Sequence, residues 1–329
     1  MGRPNITVEP ECRPGQHGGG PATGQGRPNI AVEPECWRQP ALVDAVLAGG
    51  GHVVAPAEAE ALIWAEPAAF DLLPAVLAAG PSIKWVQLPY AGVENLIHLL
   101  DGDHLWTCGK GVYAEPVAEH VLMLALAGLR GMGAYARARG WMPPVGRNLF
   151  GARVTVLGGG GITESLIRLL APWDCPVTVM RRHPVPMSGA DRVVGPRNLP
   201  DVLGDADLVV VALALTPETA GIINAGTLEA MQPHAWLINV GRGGHVVTGD
   251  LTGALTAGTI GGAALDVTDP EPLPDGHPLW GLDNCLITPH VGNTPEMGLK
   301  LLAHRVTENV RRYAAGEDLL GPIDIDLGY

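Results

Sequence analysis

The segment between Arg153 and His183 constrains the fold of this chain more than any other. Its sequence is RVTVLGGGGITESLIRLLAPWDCPVTVMRRH. An apolar run over Val154–Leu157 leads into four consecutive glycines, an amphipathic stretch follows, and a second apolar run covers Val177–Met180. This order predicts a strand, a helix and a parallel second strand, with a glycine turn that places a helix N-terminus where a dinucleotide pyrophosphate binds.

The glycine fingerprint of this turn is incomplete. Gly158 permits the tight turn and Gly160 lets the backbone approach the phosphates, but Thr163 stands where a third glycine is usual. We therefore expect the helix to begin slightly farther from the sheet. A glycine run by itself is weak support for dinucleotide binding, and an ordinary tight turn is the alternative.

The end of the second strand indicates which dinucleotide to expect. An NAD-binding unit usually carries an acidic residue there, about 20 residues further on, which accepts the ribose 2′-hydroxyl. Arg181 and Arg182 occupy this place, and guanidinium groups form charge-assisted bonds to a 2′-phosphate. The sequence therefore favours NADP(H) and leaves NAD(H) open; the alternative is a solvated basic strand end.

Composition and charge limit the class of protein. A chain of 329 residues usually forms two domains, and 47% hydrophobic residues indicate a globular protein. A net charge of −13 argues against nucleic acid or an anionic membrane as partner. The longest apolar runs are too short to span a bilayer, and the first residues do not resemble a signal peptide.

The five cysteines are scattered without a CxxC pair, which predicts reduced thiols, a cytoplasmic location and no metal site.

The N-terminus contains a duplication. GRPNITVEPEC (2–12) returns as GRPNIAVEPEC (26–36). Only the second copy continues into the rest of the domain, so Asn29–Glu33 is the predicted first strand. Residues 1–26 are predicted to form a poorly ordered extension, and the alternative is that Asn5–Glu9 pairs on a sheet edge.

Strand and helix patterns then alternate along the chain, which predicts an α/β fold with two doubly wound parallel sheets. The predicted strands are Asn29–Glu33, Ala61–Ala65, Ile83–Leu88, Leu105–Cys108, Val154–Leu157, Val177–Met180, Leu208–Leu213, Trp236–Val240, Gly262–Asp266 and Cys285–Thr288. The predicted helices include Ala41–Ala48, Pro67–Ala79, Ala114–Arg137, Ala225–Met231, Gly249–Ala257 and Pro295–Ala315. The last helix is expected to return to the first domain. The predicted domains are thus residues 27–113 plus 295–329 for substrate and residues 114–294 for the dinucleotide.

Four segments resemble those of a known family. They are AGVEN (91–95), GVYAEPVAEH (111–120), NVGRGG (239–244) and ALDVTDPEPLP…LITPHVGN (264–293). In this order they closely resemble the D-isomer-specific 2-hydroxyacid dehydrogenases, which include glyoxylate/hydroxypyruvate reductases and phosphoglycerate dehydrogenase. The resemblance implies a Rossmann-type NAD(P)-binding domain inserted in a flavodoxin-like substrate domain.

The family's catalytic arginine, glutamate and histidine correspond to Arg242, Glu271 and His290. Reduction of a 2-keto acid needs a proton at the carbonyl oxygen, and an imidazole with an ordinary pKa of about 6.5 suits that role. Glu271 would bond the other ring nitrogen, and Arg242 would hold the substrate carboxylate and polarise the carbonyl. The alternatives are that His290 caps a loop, that Glu271 is a solvated loop carboxylate and that Arg242 is a surface ion-pair partner.

The resemblance also implies binding residues. Substrate would contact Ala91, Gly92, Val93 and Arg242. The cofactor would contact Gly158, Gly160, Gly161, Ile162, Arg181, Arg182, Thr216, Val240 and Asp266, the last at the nicotinamide carboxamide. His120 and His183 are interpreted as structural or surface residues.

The sequence thus predicts an NADP(H)-preferring 2-keto acid reductase that forms a D-2-hydroxy acid, with glyoxylate or hydroxypyruvate as candidate substrates. One alternative is a dinucleotide-binding interaction protein similar to corepressors of this fold family. Another is a methyltransferase, in which the set Arg242, Glu271 and His290 would have no clear role. The resemblance further implies a homodimer formed by the helix after Val112, although the apolar run Val117–Ala127 also suits a buried core helix.

Overall fold

The structure is a computed structural model that describes residues 26–325 and residue 327. The predictions for the first copy of the duplication lie outside the described residues. The strands are β1 Asn29–Glu33, β2 His52–Val53, β3 Ala61–Trp64, β4 Trp85–Gln87, β5 Leu105–Thr107, β6 Val154–Leu157, β7 Val177–Met180, β8 Arg192–Val194, β9 Leu208–Val211, β10 Trp236–Asn239, β11 Gly262–Leu265 and β12 Cys285–Ile287. The α-helices are α1 Gln39–Ala48, α2 Leu73–Ala79, α3 Ala114–Leu129, α4 Met132–Arg137, α5 Gly161–Leu170, α6 Leu199–Gly204, α7 Ala225–Glu229, α8 Thr248–Ala257 and α9 Pro295–Ala315.

The first sheet has the strand order β2-β1-β3-β4-β5, and its pairs are parallel. This is the order of flavodoxin-like sheets. Alternate residues of β1 serve opposite faces: Ile30 and Val32 pack in one core, and Ala31 packs in the other. Because both faces are covered, β3 is apolar throughout and β1 is apolar between its two end residues, with no alternation of apolar and polar residues.

The second sheet has the order β12-β11-β10-β9-β6-β7-β8, again with parallel pairs. The order reverses between β6 and β9, which is the Rossmann arrangement. One core packs α3 and α5 against one face, and the other fills the opposite face around Val209 and Val211. The predicted fold class is confirmed.

Helix α9 returns to the first sheet after the second sheet is complete. Its buried residues Leu302, Val306 and Val310 join the core that contains Ile30. The helix also approaches the end of α1 closely, since a Cβ at Gly49 would lie 2.7 Å from the carbonyl oxygen of Thr307. The exact domain boundaries stay a prediction.

Several element predictions were wrong in their limits. The single helix expected over Ala114–Arg137 is interrupted because Gly131 adopts the left-handed conformation (φ +65°) between α3 and α4. The helix expected over Pro67–Ala79 is reduced to a 3-10 turn at Phe70–Leu72 followed by α2. The strands β2 and β8 and the helix α6 were not predicted, since each is only two to six residues long. No helix within the described part of the chain is long and apolar enough to cross a membrane.

Candidate active site

The predicted site residues of the second sheet lie in loops that follow the carboxyl ends of its strands. These are the loops after β6, β7, β9, β10, β11 and β12. In parallel sheets this edge is where ligands bind, beside the point where the strand order reverses. The topology therefore brings the sequence-predicted groups to one edge.

The glycine turn has the geometry that a phosphate-binding turn needs. Gly158 has φ +117°, and a Cβ there would lie 2.2 Å from the carbonyl oxygen of Ala212, so both conformation and space require glycine. Gly160 is the N-cap of α5, and a Cβ on it would meet nothing within 4 Å. Since no side chain caps this end of α5 among the described residues, the amides of Gly161 and Ile162 are available to an anion.

Thr163 is fully buried in the first turn of α5. Its hydroxyl donates a hydrogen bond of 2.8 Å to the carbonyl oxygen of Gly158. The hydroxyl thus ties the helix to the turn that precedes it, a contact a glycine could not make. The larger helix–sheet separation expected from this replacement stays a prediction.

Arg181 lies against the glycine turn. A Cβ at Gly159 would lie 2.9 Å from Cδ and 3.1 Å from Nε of Arg181, so the glycine makes room for the arginine side chain. Arg181 is half-buried and Arg182 is exposed. The second glycine of the run is therefore explained by the arginine at the end of β7, a pairing that the sequence alone does not indicate.

His290 and Glu271 form a hydrogen-bonded pair. Nδ1 of His290 lies 2.7 Å from Oε1 of Glu271, and the two side chains are 52% and 42% exposed. A carboxylate at Nδ1 accepts a hydrogen bond from the ring N–H there and leaves Nε2 available to a different partner. His290 has φ +54°, and its amide donates to the carbonyl oxygen of Asp266 at 2.8 Å. The backbone thus fixes the ring beside the end of β11.

Two buried polar side chains fix the loop that carries Arg242. Asn239 donates to the carbonyl oxygen of Arg242 at 2.9 Å and accepts from the amide of Gly241 at 3.1 Å. Nδ1 of His245 accepts from the amide of Arg242 at 3.0 Å, and Nε2 lies 3.2 Å from the carbonyl oxygen of Ala214. Burial lowers the pKa of His245, which favours the neutral ring that this bonding requires. Neither residue was predicted from the sequence, although Asn239 begins the NVGRGG motif.

The guanidinium of Arg242 lies against the loop predicted to bind substrate. Its Nε donates to the carboxylate of Glu94, and its Nη1 donates to the carbonyl oxygen of Gly241 at 2.8 Å. A Cβ at Gly92 would lie 1.9 Å from Nη2 of Arg242 and 2.5 Å from Oε2 of Glu94. Glu94 was also missed, though it belongs to the AGVEN motif. Of the neighbouring predicted residues, Ala91 is exposed and the side chain of Val93 is in the core.

The arginine loop and the Glu271 loop are in direct contact. A Cβ at Gly243 would lie 1.9 Å from the carbonyl oxygen of Thr268. The amide of Thr268 in turn donates to Oε2 of Glu271 at 3.4 Å. These contacts link Arg242, Glu271 and His290 through three successive loops of the same edge.

Asp266 is buried at the end of β11 and receives several hydrogen bonds. Its Oδ1 accepts from Thr288 Oγ1 at 2.6 Å and from the amide of Val291 at 2.9 Å, and its Oδ2 accepts from the amide of Gly292 at 2.9 Å. His120 Nε2 lies 3.3 Å from Oδ1 and 3.0 Å from Thr288 Oγ1. Burial alone would raise the pKa of Asp266, but these bonds outweigh it and lower the pKa to about 2. His120, expected to be structural, supports this carboxylate.

The remaining predicted cofactor residues also follow strands of this sheet. Val240 is buried at the end of β10, and its amide donates to the carbonyl oxygen of Val211 at 3.2 Å. Thr216 follows β9, and its hydroxyl donates to Glu218 at 2.8 Å. No group of three or more potential metal ligands occurs among the residues that the structure describes.

The chain is similar in sequence to a protein family and to individual relatives, and it is similar in structure to solved proteins. Residues 120–292 match the family model described as D-isomer specific 2-hydroxyacid dehydrogenase, NAD binding domain. An "uncharacterized protein in proB 3′ region" of Corynebacterium melassecola is 38% identical over 87% of this chain and 95% of its own length. Glyoxylate/hydroxypyruvate reductase A of Photorhabdus laumondii is 31% identical over 82% of this chain and 87% of its own length. The crystal structure of a D-isomer specific 2-hydroxyacid dehydrogenase from Xanthobacter autotrophicus Py2, in complex with NADPH and MES, is 30% identical, with a TM-score of 0.79 over 92% of this chain and 100% of that one.

Proposed function

The chain belongs to the D-isomer-specific 2-hydroxyacid dehydrogenases, and we propose that it reduces a 2-keto acid to a D-2-hydroxy acid with NADPH. The hydrogen bond of 2.7 Å between His290 and Glu271 carries this proposal. A histidine held at Nδ1 by a carboxylate is a proton donor with a fixed direction, and it lies on the edge that also carries Arg242. An ordinary loop histidine would need neither the carboxylate nor the backbone constraint.

The described residues fit a dinucleotide. The turn at Gly158 and the free amides at the start of α5 suit a pyrophosphate. One lone pair of Asp266 Oδ2 has no bond among the described residues and could accept from the nicotinamide carboxamide. Thr216 and Val240 lie along the same edge of the sheet. When bound, the reduced dinucleotide supplies a hydride to the substrate's carbonyl carbon.

The protein's own residues then bind the substrate and deliver the proton. Arg242 and the backbone of residues 91–93 hold the substrate carboxylate, because an arginine retains three N–H donors after its bonds to Glu94 and Gly241. Nε2 of protonated His290 gives its proton to the carbonyl oxygen, and the ring becomes neutral. Glu271 stabilises the protonated ring before this transfer and holds its orientation throughout.

NADPH is the proposed cofactor because of the arginines at the end of β7. The side chain of Arg181 packs against the glycine turn, where Gly159 leaves room for it. Arg182 is the next residue and is exposed to solvent. Both can pair with a 2′-phosphate, whereas a carboxylate would be needed to accept a free 2′-hydroxyl. The Xanthobacter relative was crystallised with NADPH, which supports the same choice. NADH would serve as a weaker substitute.

Glyoxylate and hydroxypyruvate are the proposed substrates, following the name of the Photorhabdus relative.

A homodimer is proposed because α3, α4 and the segment after them expose large apolar side chains that a second copy would cover. These side chains are Met123, Met132, Trp141, Val145 and Phe150.

The cytoplasm is proposed because the four cysteines of the described residues are all unpaired.

The test is the loss of NADPH absorbance in the presence of glyoxylate or hydroxypyruvate, repeated with NADH. We expect His290→Ala to lower kcat by at least about 100-fold, the usual contribution of a general acid. His304→Ala, which changes an exposed histidine of α9, is the matched control and should retain full activity. If NADPH binds but no 2-keto acid of a wide screen is reduced, the proposal is wrong and the interaction-protein alternative takes its place.

A further inference from the structure

We propose that His120 is a positioning residue for the nicotinamide ring of the cofactor. Together with Thr288 it fixes the carboxylate of Asp266, so that one oxygen of that carboxylate stays directed at the nicotinamide carboxamide. The inference rests on the proposed function, in which Oδ2 of Asp266 accepts a hydrogen bond from this carboxamide. It gives a role in cofactor binding to a side chain of α3 that the sequence alone indicated to be structural.

The hydrogen bonds of Thr288 determine which ring nitrogen of His120 carries a proton. The hydroxyl of Thr288 donates its one proton to Oδ1 of Asp266 at 2.6 Å. The hydroxyl oxygen must therefore accept from Nε2 of His120, which lies 3.0 Å away. Nε2 also lies 3.3 Å from Oδ1 itself. His120 thus carries a proton on Nε2 and directs it at both oxygens.

The two carboxylate oxygens of Asp266 have different surroundings. Oδ1 faces Thr288 and His120 and also accepts from the amide of Val291 at 2.9 Å. Within the described part of the chain, Oδ2 accepts only from the amide of Gly292, at 2.9 Å. Since a carboxylate oxygen accepts about two hydrogen bonds, Oδ1 is saturated and Oδ2 retains one acceptor position. Oδ2 is therefore the oxygen left for a ligand.

Burial makes this arrangement sensitive to the loss of a single donor. The side chains of His120 and Asp266 are only 12% and 4% exposed, so water does not readily replace a missing bond. Burial raises the pKa of Asp266, but hydrogen bonds, that of His120 first among them, lower the pKa to about 2. The carboxylate is thus charged at neutral pH and accepts strongly from an amide N–H. Without the proton on Nε2, Thr288 and Oδ1 lose a partner and the plane of the carboxylate is no longer fixed.

Gly292 allows the imidazole and the carboxylate to lie this close to the loop after β12. A Cβ at Gly292 would lie 3.0 Å from Oδ2 of Asp266 and 3.7 Å from Cδ2 of His120. A side chain there would crowd the one oxygen that has an acceptor position to spare. The glycine therefore leaves the space beside Oδ2 free.

The experiment measures by calorimetric titration how tightly the protein binds NADPH and 2′-phospho-ADP-ribose, the part of NADPH that lacks nicotinamide. His120→Leu keeps the approximate size of the side chain and removes the donor. We expect it to raise the Kd for NADPH about tenfold, as for the loss of one hydrogen bond, and to leave the Kd for the fragment unchanged. His120→Gln places an amide donor near the position of Nε2 and should restore most of the affinity. If the wild type binds NADH more tightly than NADPH, NADH and ADP-ribose are the ligand pair.

His234→Leu is the matched control. Nε2 of His234 lies 2.6 Å from Oδ1 of Asp207, so this histidine also bonds a carboxylate. Asp207 directly precedes β9, however, and lies at the amino edge of the same sheet. We expect His234→Leu to change neither Kd, because that edge is remote from the proposed cofactor site.

The outcomes separate this inference from the proposed function. Equal rises of both Kd values in His120→Leu refute it, because His120 would then only stabilise the fold. An unchanged Kd for NADPH refutes it too, as does a His120→Gln variant that binds as weakly as His120→Leu. A wild type that binds NADPH no more tightly than the fragment also refutes it, since Asp266 would not hold the carboxamide. A protein that binds NADPH with the expected dependence on His120, but reduces no 2-keto acid, overturns the proposed reaction and supports the role of His120.

Discussion

Replacement of Asp266 by asparagine tests how strongly the second sheet depends on a buried carboxylate. Asp266 is 4% exposed, and its oxygens accept from Thr288 and from the amides of Val291 and Gly292. The asparagine keeps the shape but removes the charge and turns an NH₂ group toward at least one of these donors. A donor that faces another donor in a buried place costs more than the bond that is lost.

The pKa of Asp266 gives the size of its contribution to the free energy of unfolding. It falls from an ordinary 3.8 to about 2, because hydrogen bonds from His120, Thr288 and two backbone amides outweigh the effect of burial. Since one pKa unit corresponds to about 1.4 kcal/mol, ionised Asp266 contributes about 2 kcal/mol to the free energy of unfolding at neutral pH. The folded pKa is the lower one, so this contribution is complete above about pH 4 and is lost as the pH falls toward 2.

We expect Asp266→Asn to lower the free energy of unfolding at pH 7 by about 2 kcal/mol. Urea denaturation followed by tryptophan fluorescence measures it. Asp283→Asn is the control, because that side chain is 70% exposed and pairs with Arg137 at 3.6 Å, and its cost should stay below about 0.5 kcal/mol. Equal costs for the two variants would refute the reasoning.

Two further variants examine the glycine turn. Arg181→Asp should reverse the preference for NADPH over NADH, because it places a carboxylate where a 2′-phosphate is expected, and an unchanged ratio of kcat/KM would contradict the proposed cofactor. Thr163→Val removes the 2.8 Å bond to the carbonyl oxygen of Gly158 and should lower the free energy of unfolding by about 1 kcal/mol. A valine variant as stable as the wild type in urea would show that the hydroxyl does not hold the turn.

The fold could be predicted from the sequence because its strands are buried on both faces. The runs Val154–Leu157 and Val177–Met180 are the observed β6 and β7 without a change of limits. Apolar runs bounded by glycine or polar residues are a strong signal of such strands. The break between α3 and α4 was missed because a glycine within an apolar helix is often tolerated, and only φ +65° at Gly131 distinguishes the two cases.

The candidate site was predictable only where a motif carries it. Arg242, Glu271 and His290 stand in segments that resemble a family, so their meeting at one sheet edge was expected. Asn239 and His245 fix the arginine loop through buried hydrogen bonds. Asn239 belongs to the NVGRGG motif but its role depends on a contact across the loop, and His245 lies just outside that motif. The pairing of Glu94 with Arg242 joins positions 148 residues apart, and no local pattern encodes such a distance.

The four glycines after β6 illustrate why a motif and a structure give different information. As a sequence motif the run is one phosphate-binding signal, yet each of its glycines has different surroundings in the structure. Gly158 is required by a positive φ and by the carbonyl of Ala212, and Gly159 makes room for Arg181. Gly161 allows α5 to approach α3, since a Cβ there would lie 3.1 Å from Cβ of Ala114. Of the four, Gly160 alone would place a Cβ with no protein atom within 4 Å, and under the proposed function this open space is where the pyrophosphate would lie.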